Sequence, residues 1–173
     1  TRTFRVVSFL ALGVLFASML VKRSYTGSLT ILFVFAAMEG FVIAPILYAF
    51  NSAFPLIGMQ AALITLGVFS GLTCYVFTTR KDFSYLRGIL WASLIGLLAV
   101  GILGIFFPLS RDMGLLYSGF GALLFAGYIL YDTSNVLHRF GEGDEPMATL
   151  QLYIDVVNLF LFILSLLGGR RRS

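Results

Sequence analysis

Charge is scarce in this chain. Only 12% of its 173 residues are Asp, Glu, Lys or Arg, where a soluble domain carries about 25%. Half the usual ionic surface is missing, which excludes water as the solvent for most of the molecule. Cysteine is scarcer still: Cys74 stands alone, so an intrachain disulfide framework is excluded. Set in an apolar run, Cys74 reads as a small buried hydrophobe. One histidine, His138, is present, and no Cys/His metal spacing, phosphate-binding loop or dinucleotide fingerprint occurs. His138 reads as a solvated loop residue rather than a catalytic base.

Apolar residues fill the space that charge leaves. They make up 59% of the chain, with 18 Phe and 18 Gly, and the mean hydropathy is +0.96. A membrane-spanning helix needs about 20 mostly apolar residues. Six such stretches are read, at 4–21, 28–50, 54–77, 86–107, 113–131 and 148–167. Their connections are short except for 132–147, which implies antiparallel neighbours. The expectation is an all-α membrane protein, a polytopic helical bundle forming one domain over 1–173. Small residues within the spans, such as Gly96, Gly101 and Gly104 on one and Gly119, Gly121 and Ala122 on the next, suit close helix contact.

The net charge of +4 is split into short groups between the spans: Lys22-Arg23, Arg80-Lys81 and Arg170-Arg171-Arg172. Such groups set topology and meet lipid headgroups. A continuous basic face for nucleic acid is not available. Lys22, Arg23, Arg80, Lys81, Arg87 and Arg139 fall on one face, expected to be cytoplasmic, while Arg2, Arg5 and the terminal arginines count the other way. The chain opens on Thr1, and the first run lacks an A-x-A-like cleavage end. It reads as a permanent span, with a preceding segment expected ahead of it.

Within spans, each ionisable residue is a functional hypothesis, because placing one at a helix centre costs about 2.5–3.5 kcal/mol even on lenient insertion scales. Asp155 lies inside the last span. With Gln151 and Asn158 it forms an i, i+4, i+7 stripe that must face protein or water. Asp132 closes the fifth span and, taken alone, is as well read as an interfacial helix-end residue. The connecting loop returns the chain to the same face, so Asp132 and Asp155 are expected to meet near that end and titrate as a coupled pair. That arrangement makes a proton-dependent switch without histidine. Glu39, in the middle of the second span, either bonds a neighbouring helix in its protonated form or lines an ion path. Pro45 in the same span is expected to kink it and free a backbone carbonyl. Carboxylates with amide and carbonyl oxygens suit hard cations such as Ca²⁺, bound weakly and transiently at most by Asp132 and Asp155, and no EF-hand loop is present. The expectation includes no tightly bound cofactor.

Enzymatic readings are less economical. Tyr131-Asp132 followed by Gly141-Glu142-Gly143-Asp144 mimics the motif pair of intramembrane aspartyl proteases, but the second string sits in a polar stretch where Asp144 cannot reach membrane depth. The serine-protease string G-x-S-G is incomplete at both Ser70 and Ser118. The chain is not expected to be an enzyme.

Tyr128-Ile129-Leu130-Tyr131-Asp132-Thr133 and Leu152-Tyr153-Ile154-Asp155-Val156-Val157-Asn158-Leu159-Phe160 resemble the two aspartate motifs of the transmembrane Bax inhibitor motif family. Met38-Glu39-Gly40 and Thr79-Arg80-Lys81-Asp82-Phe83-Ser84 extend the resemblance over nearly the whole chain. The resemblance implies a seven-helix bundle of which the six spans are the second to seventh. It also implies a pH-sensitive calcium leak of the bacterial branch, in the inner membrane, with Ca²⁺ and protons as partners and Asp132 and Asp155 as sensor. Lys22 or Arg23 occupies the region of a basic residue that can latch the aspartates. Eukaryotic relatives in the family are associated with calcium handling and suppression of cell death, which implies the alternative of a non-conducting regulator acting through partner helices.

Overall fold

The computed structural model describes residues 25–107 and 110–171. The first expected span, 4–21, and the candidate latch residues Lys22 and Arg23 lie outside the described residues. Among the described residues the secondary structure is entirely helical. The helices are α1 (Tyr25–Ala53), α2 (Ile57–Thr79), α3 (Arg87–Phe106), α4 (Arg111–His138) and α5 (Glu145–Arg171), with a 3₁₀ turn at Ser84–Leu86 ahead of α3. All five are long and apolar enough to cross a membrane. In hydrocarbon each backbone polar group needs an internal partner, and an uninterrupted helix supplies them all.

Local chemistry sets the ends. The Ser110 hydroxyl accepts the Met113 N–H at 3.4 Å and Asp112 follows in the first turn, which suits the positive end of the α4 dipole. Between α1 and α2, Leu56 takes a left-handed conformation at φ 66°. The tight reversal is fastened by Asn51, whose Oδ1 accepts the Gly58 N–H at 3.1 Å. Pro45 lies within the span of α1.

Helix α5 is central, touching α1, α2 and α4, and its pairing with α4 is the most extensive in the bundle. Ile57, Ala61, Leu90, Leu97, Leu124, Phe125, Ile129, Leu159, Ile163 and Leu164 form the buried core. Large apolar side chains such as Phe41, Leu63, Ile95, Phe106 and Leu123 point outward. On a spanning bundle that outward face is solvated by lipid, which is as apolar as the core.

Several expectations are corrected. The polar stretch 132–147 is not one long loop: α4 continues to His138 and α5 begins at Glu145. Thr133, Ser134 and Asn135 are buried against the bundle, and that tertiary burial stabilises helix where composition alone suggests a turn. Asp132 is therefore inside a helix rather than at its end, and His138 belongs to the last turn, its ring Nδ1 at 2.9 Å from the Ser134 carbonyl. Cys74 is exposed rather than buried, since its side of α2 faces lipid. Of the glycines expected to mediate close contact, Gly101 meets the Tyr117 hydroxyl and Gly121 meets the Phe162 ring, whereas Gly96 and Gly119 have open space beside them.

Candidate functional site

Helices α4 and α5 run antiparallel and face each other along matching stripes. On α4 the facing positions are Ser118, Gly121, Phe125, Tyr128, Asp132 and Asn135, spaced alternately three and four apart. On α5 they are Gln151, Asp155, Asn158, Phe162 and Ser165, with the same alternation. The two aspartates thus arrive from different helices at one level of the seam.

Asp132 is 8% exposed and Asp155 4%. Their carboxyl groups lie within hydrogen-bonding reach of each other. Asn135 donates its Nδ2–H to Asp132 Oδ1 at 3.1 Å, and the Tyr128 hydroxyl is within electrostatic range of both carboxyls. The oxygens left over are informative. Asp155 Oδ2, Asn135 Oδ1, Gln151 Oε1, Thr133 Oγ1 and the Tyr128 hydroxyl are buried without a protein partner. A buried polar atom without a partner costs about 1–3 kcal/mol, so five of them on two adjoining helices form a donor set whose needs the protein does not meet itself. Carboxylate, amide and hydroxyl oxygens are the groups that protons, water and hard cations satisfy. Among the described residues no cluster of three or more His, Cys, Asp or Glu suited to a metal occurs, so the pair is not a cage.

The α2–α3 link packs on this end of α4. The buried Ser134 hydroxyl accepts the Phe83 N–H at 2.9 Å and lies 3.4 Å from the Lys81 carbonyl. Phe83 packs between Tyr75 and Tyr85. Asp82 in the link accepts the Ser84 N–H at 2.8 Å. The hydrogen bonds from Ser84 hold its carboxyl below the usual carboxylate range, and Arg139 and His138 at the end of α4 act in the same direction.

Glu39 is buried on α1 and lies within electrostatic range of Tyr153, whose ring meets Phe35 edge-on at 6.1 Å. Tyr153 and Asp155 are two residues apart, about 200° round α5, so Glu39 approaches that helix from a different side than Asp132. Asn158 is turned back on its own helix, donating to the Ile154 carbonyl at 2.8 Å. Of the residues singled out in the sequence, the structure brings Asp132 and Asp155 together with Gln151 nearby on the same stripe, and sets Glu39 apart.

Asn135, Tyr128, Thr133 and Ser134 were not singled out. The signal for the first two is spacing: Tyr128 and Asn135 stand at i−4 and i+3 from Asp132 and share its face.

This is a polytopic helical membrane protein whose central helix pair buries two carboxyl groups in contact. The sequence matches the family described as "Inhibitor of apoptosis-promoting Bax1" over residues 1–172. The chain belongs to the Bax inhibitor-1 family. It is 39% identical over 160 residues to "Bax inhibitor 1" of Schizosaccharomyces pombe, covering 92% of this chain and 59% of that protein. It is 35% identical over 159 residues to the "Golgi anti-apoptotic protein" of vaccinia virus, covering 92% and 65%. It is 36% identical over 165 residues to an "Uncharacterized membrane protein" of Vibrio cholerae, covering 94% and 73%. The chain spans about three fifths of the length of the yeast relative.

Proposed function

We propose that the chain forms a passive, proton-regulated cation pathway through the bundle, with Ca²⁺ as the transported ion and the Asp132–Asp155 pair as its switch. The observation that supports it most is the contact between two buried carboxyls, on two helices that carry further buried oxygens without protein partners. Two carboxylates in contact repel when both ionise, so the number of protons they hold sets their charge and the packing of α4 on α5. With protons scarce, an ionised aspartate holds a basic latch, Lys22 or Arg23 by family resemblance, and the helices stay together. Protonation weakens that pairing and shifts the population toward another packing. If the latch is Lys22, the bidentate grip of arginine is lost and the closed form is weaker. Gln151 and Asn158, with Glu39 on the far side of α5, supply further oxygens for a weakly binding path. The reading is non-enzymatic, needs no resident cofactor, and places the protein in a bacterial inner membrane, with the Vibrio relative in its favour.

The test is Ca²⁺ entry into dye-loaded liposomes across pH for the parent, Asp132→Asn and Asp155→Asn. Flux whose pH profile moves in both variants is expected. A second reading, a non-conducting regulator acting on partner helices, draws on the anti-apoptotic name of the viral relative. Absence of flux from the purified parent at every pH overturns the first reading in favour of the second.

A further inference from the structure

The polar stripe on α5 is broken once. Gln151, Asp155 and Asn158 are followed at the next facing position by Phe162, and the stripe resumes at Ser165. The facing stripe on α4 has the same order: Asn135, Asp132 and Tyr128, then Phe125 and Gly121, then Ser118. Beyond the aromatic layer, Ser118 is 3% exposed, while Ser165 is exposed at the edge of the seam and Phe162 is half-buried. The Ser118 hydroxyl lies 3.0 Å from that of Ser165 and 2.9 Å from the Gly114 carbonyl. Two polar levels of one seam are therefore separated by a single apolar one.

That apolar level is built from rings. Phe162 stacks on Phe125 at 5.7 Å with 22° between planes. It also meets Tyr117 at 5.7 Å, and Phe125 meets Tyr128 at 5.8 Å. The Phe162 ring lies directly on Gly121, where a methyl group would overlap it. Glycine leaves the ring room at this position, and the ring occupies the space that a larger residue at 121 would fill first. At 1.5 Å per residue Phe162 sits about 10 Å along α5 from Asp155 and about 4.5 Å from Ser165. A lone apolar constriction between polar levels blocks ions by excluding water, without needing to close mechanically.

We propose that Phe162, stacked on Phe125 and seated on Gly121, is the hydrophobic gate of the α4–α5 seam, separating the carboxyl pair from the Ser118–Ser165 pair. The proposal rests on the conduction reading above, and its test is made separable from it. Single-cysteine proteins are prepared in a Cys74→Ser background, with Ser118→Cys as reporter, and reconstituted in liposomes. A membrane-impermeant cationic methanethiosulfonate is applied from the face carrying the 80–83 link, and Ca²⁺ entry is followed in parallel in proteins without the reporter.

With Phe162 intact, the reporter is shielded from that face. Phe162→Ala and Phe162→Gln admit water to the layer, so the reporter is modified from that face roughly tenfold or more faster. Phe162→Leu keeps the layer apolar and the reporter shielded. Gln fills volume that Ala empties, so a packing failure of one variant leaves the other as the test. Unchanged modification in Phe162→Gln and Phe162→Ala overturns the gate, whatever the flux. Faster modification without Ca²⁺ entry in any protein upholds the gate and overturns calcium conduction. Ca²⁺ entry by the parent with a reporter indifferent to Phe162 does the reverse.

Discussion

Asp132 and Asp155 interact with each other, and Asn135 donates to Asp132 alone. The two carboxyls are thus unequal, and the pair has a built-in asymmetry that a symmetric dyad lacks. Asp132 and Asp155 were legible in the sequence because a carboxyl in an apolar run has no cheap explanation. Asn135 and Tyr128 were not, since a short amide next to Thr and Ser looks like loop chemistry and a tyrosine looks like an interfacial anchor. Outside the spans, Asp82 offers a pH test. Its folded carboxyl is held below the ordinary range by Ser84, so its contribution is complete above that range and is lost as pH falls through the lowered value. Hydrogen exchange at the Ser84 amide is expected to stay protected at mildly acidic pH and to rise only in stronger acid. In Asp82→Asn it should show no such step, and a step retained in that variant contradicts the assignment.

At the scale of elements, the five described spans follow from length and apolarity, and their central parts agree with the runs read from sequence. The extents do not, and the reason is physical. The last turns of α4 carry Thr133, Ser134, Asn135 and His138, residues whose side chains compete with helical backbone when exposed. Here Ser134 is fully buried and binds the α2–α3 link instead. At 28 residues, α4 is about 42 Å long against a hydrocarbon layer of about 30 Å, so its polar end has room beyond the lipid tails. Ser134→Ala leaves the Phe83 N–H without its acceptor and is expected to destabilise the protein by about 1–3 kcal/mol. Thermal unfolding in detergent measures this, with faster proteolysis at 80–83 as the local signature. A Tm equal to that of the parent, with the link still protected, removes Ser134 from the role assigned to it.

At the scale of the whole molecule, α5 is both the structural axis and the carrier of the polar stripe. Any change in charge at Asp155 is therefore applied on the helix that α1, α2 and α4 all touch. The most extensive packing in the bundle is the α4–α5 seam, while exposed apolar side chains cover the outward surfaces of α1 to α4. A switch placed there needs only a modest bias between two packings to be felt throughout. The sequence placed the two aspartates on the same end of neighbouring helices. Contact between them required the register of α4 against α5, which no motif states and to which the Phe162 ring seated on Gly121 contributes.

The central claim is that the two carboxyls act as one titrating unit. A double-substitution cycle measures it most directly: the pH midpoint of Ca²⁺ entry for the parent, Asp132→Asn, Asp155→Asn and the double variant in the same liposomes. Contacting groups are non-additive, so each single substitution is expected to move the midpoint and the second to add far less than it does alone. Two independent, additive shifts, or a midpoint indifferent to both substitutions, contradict the account.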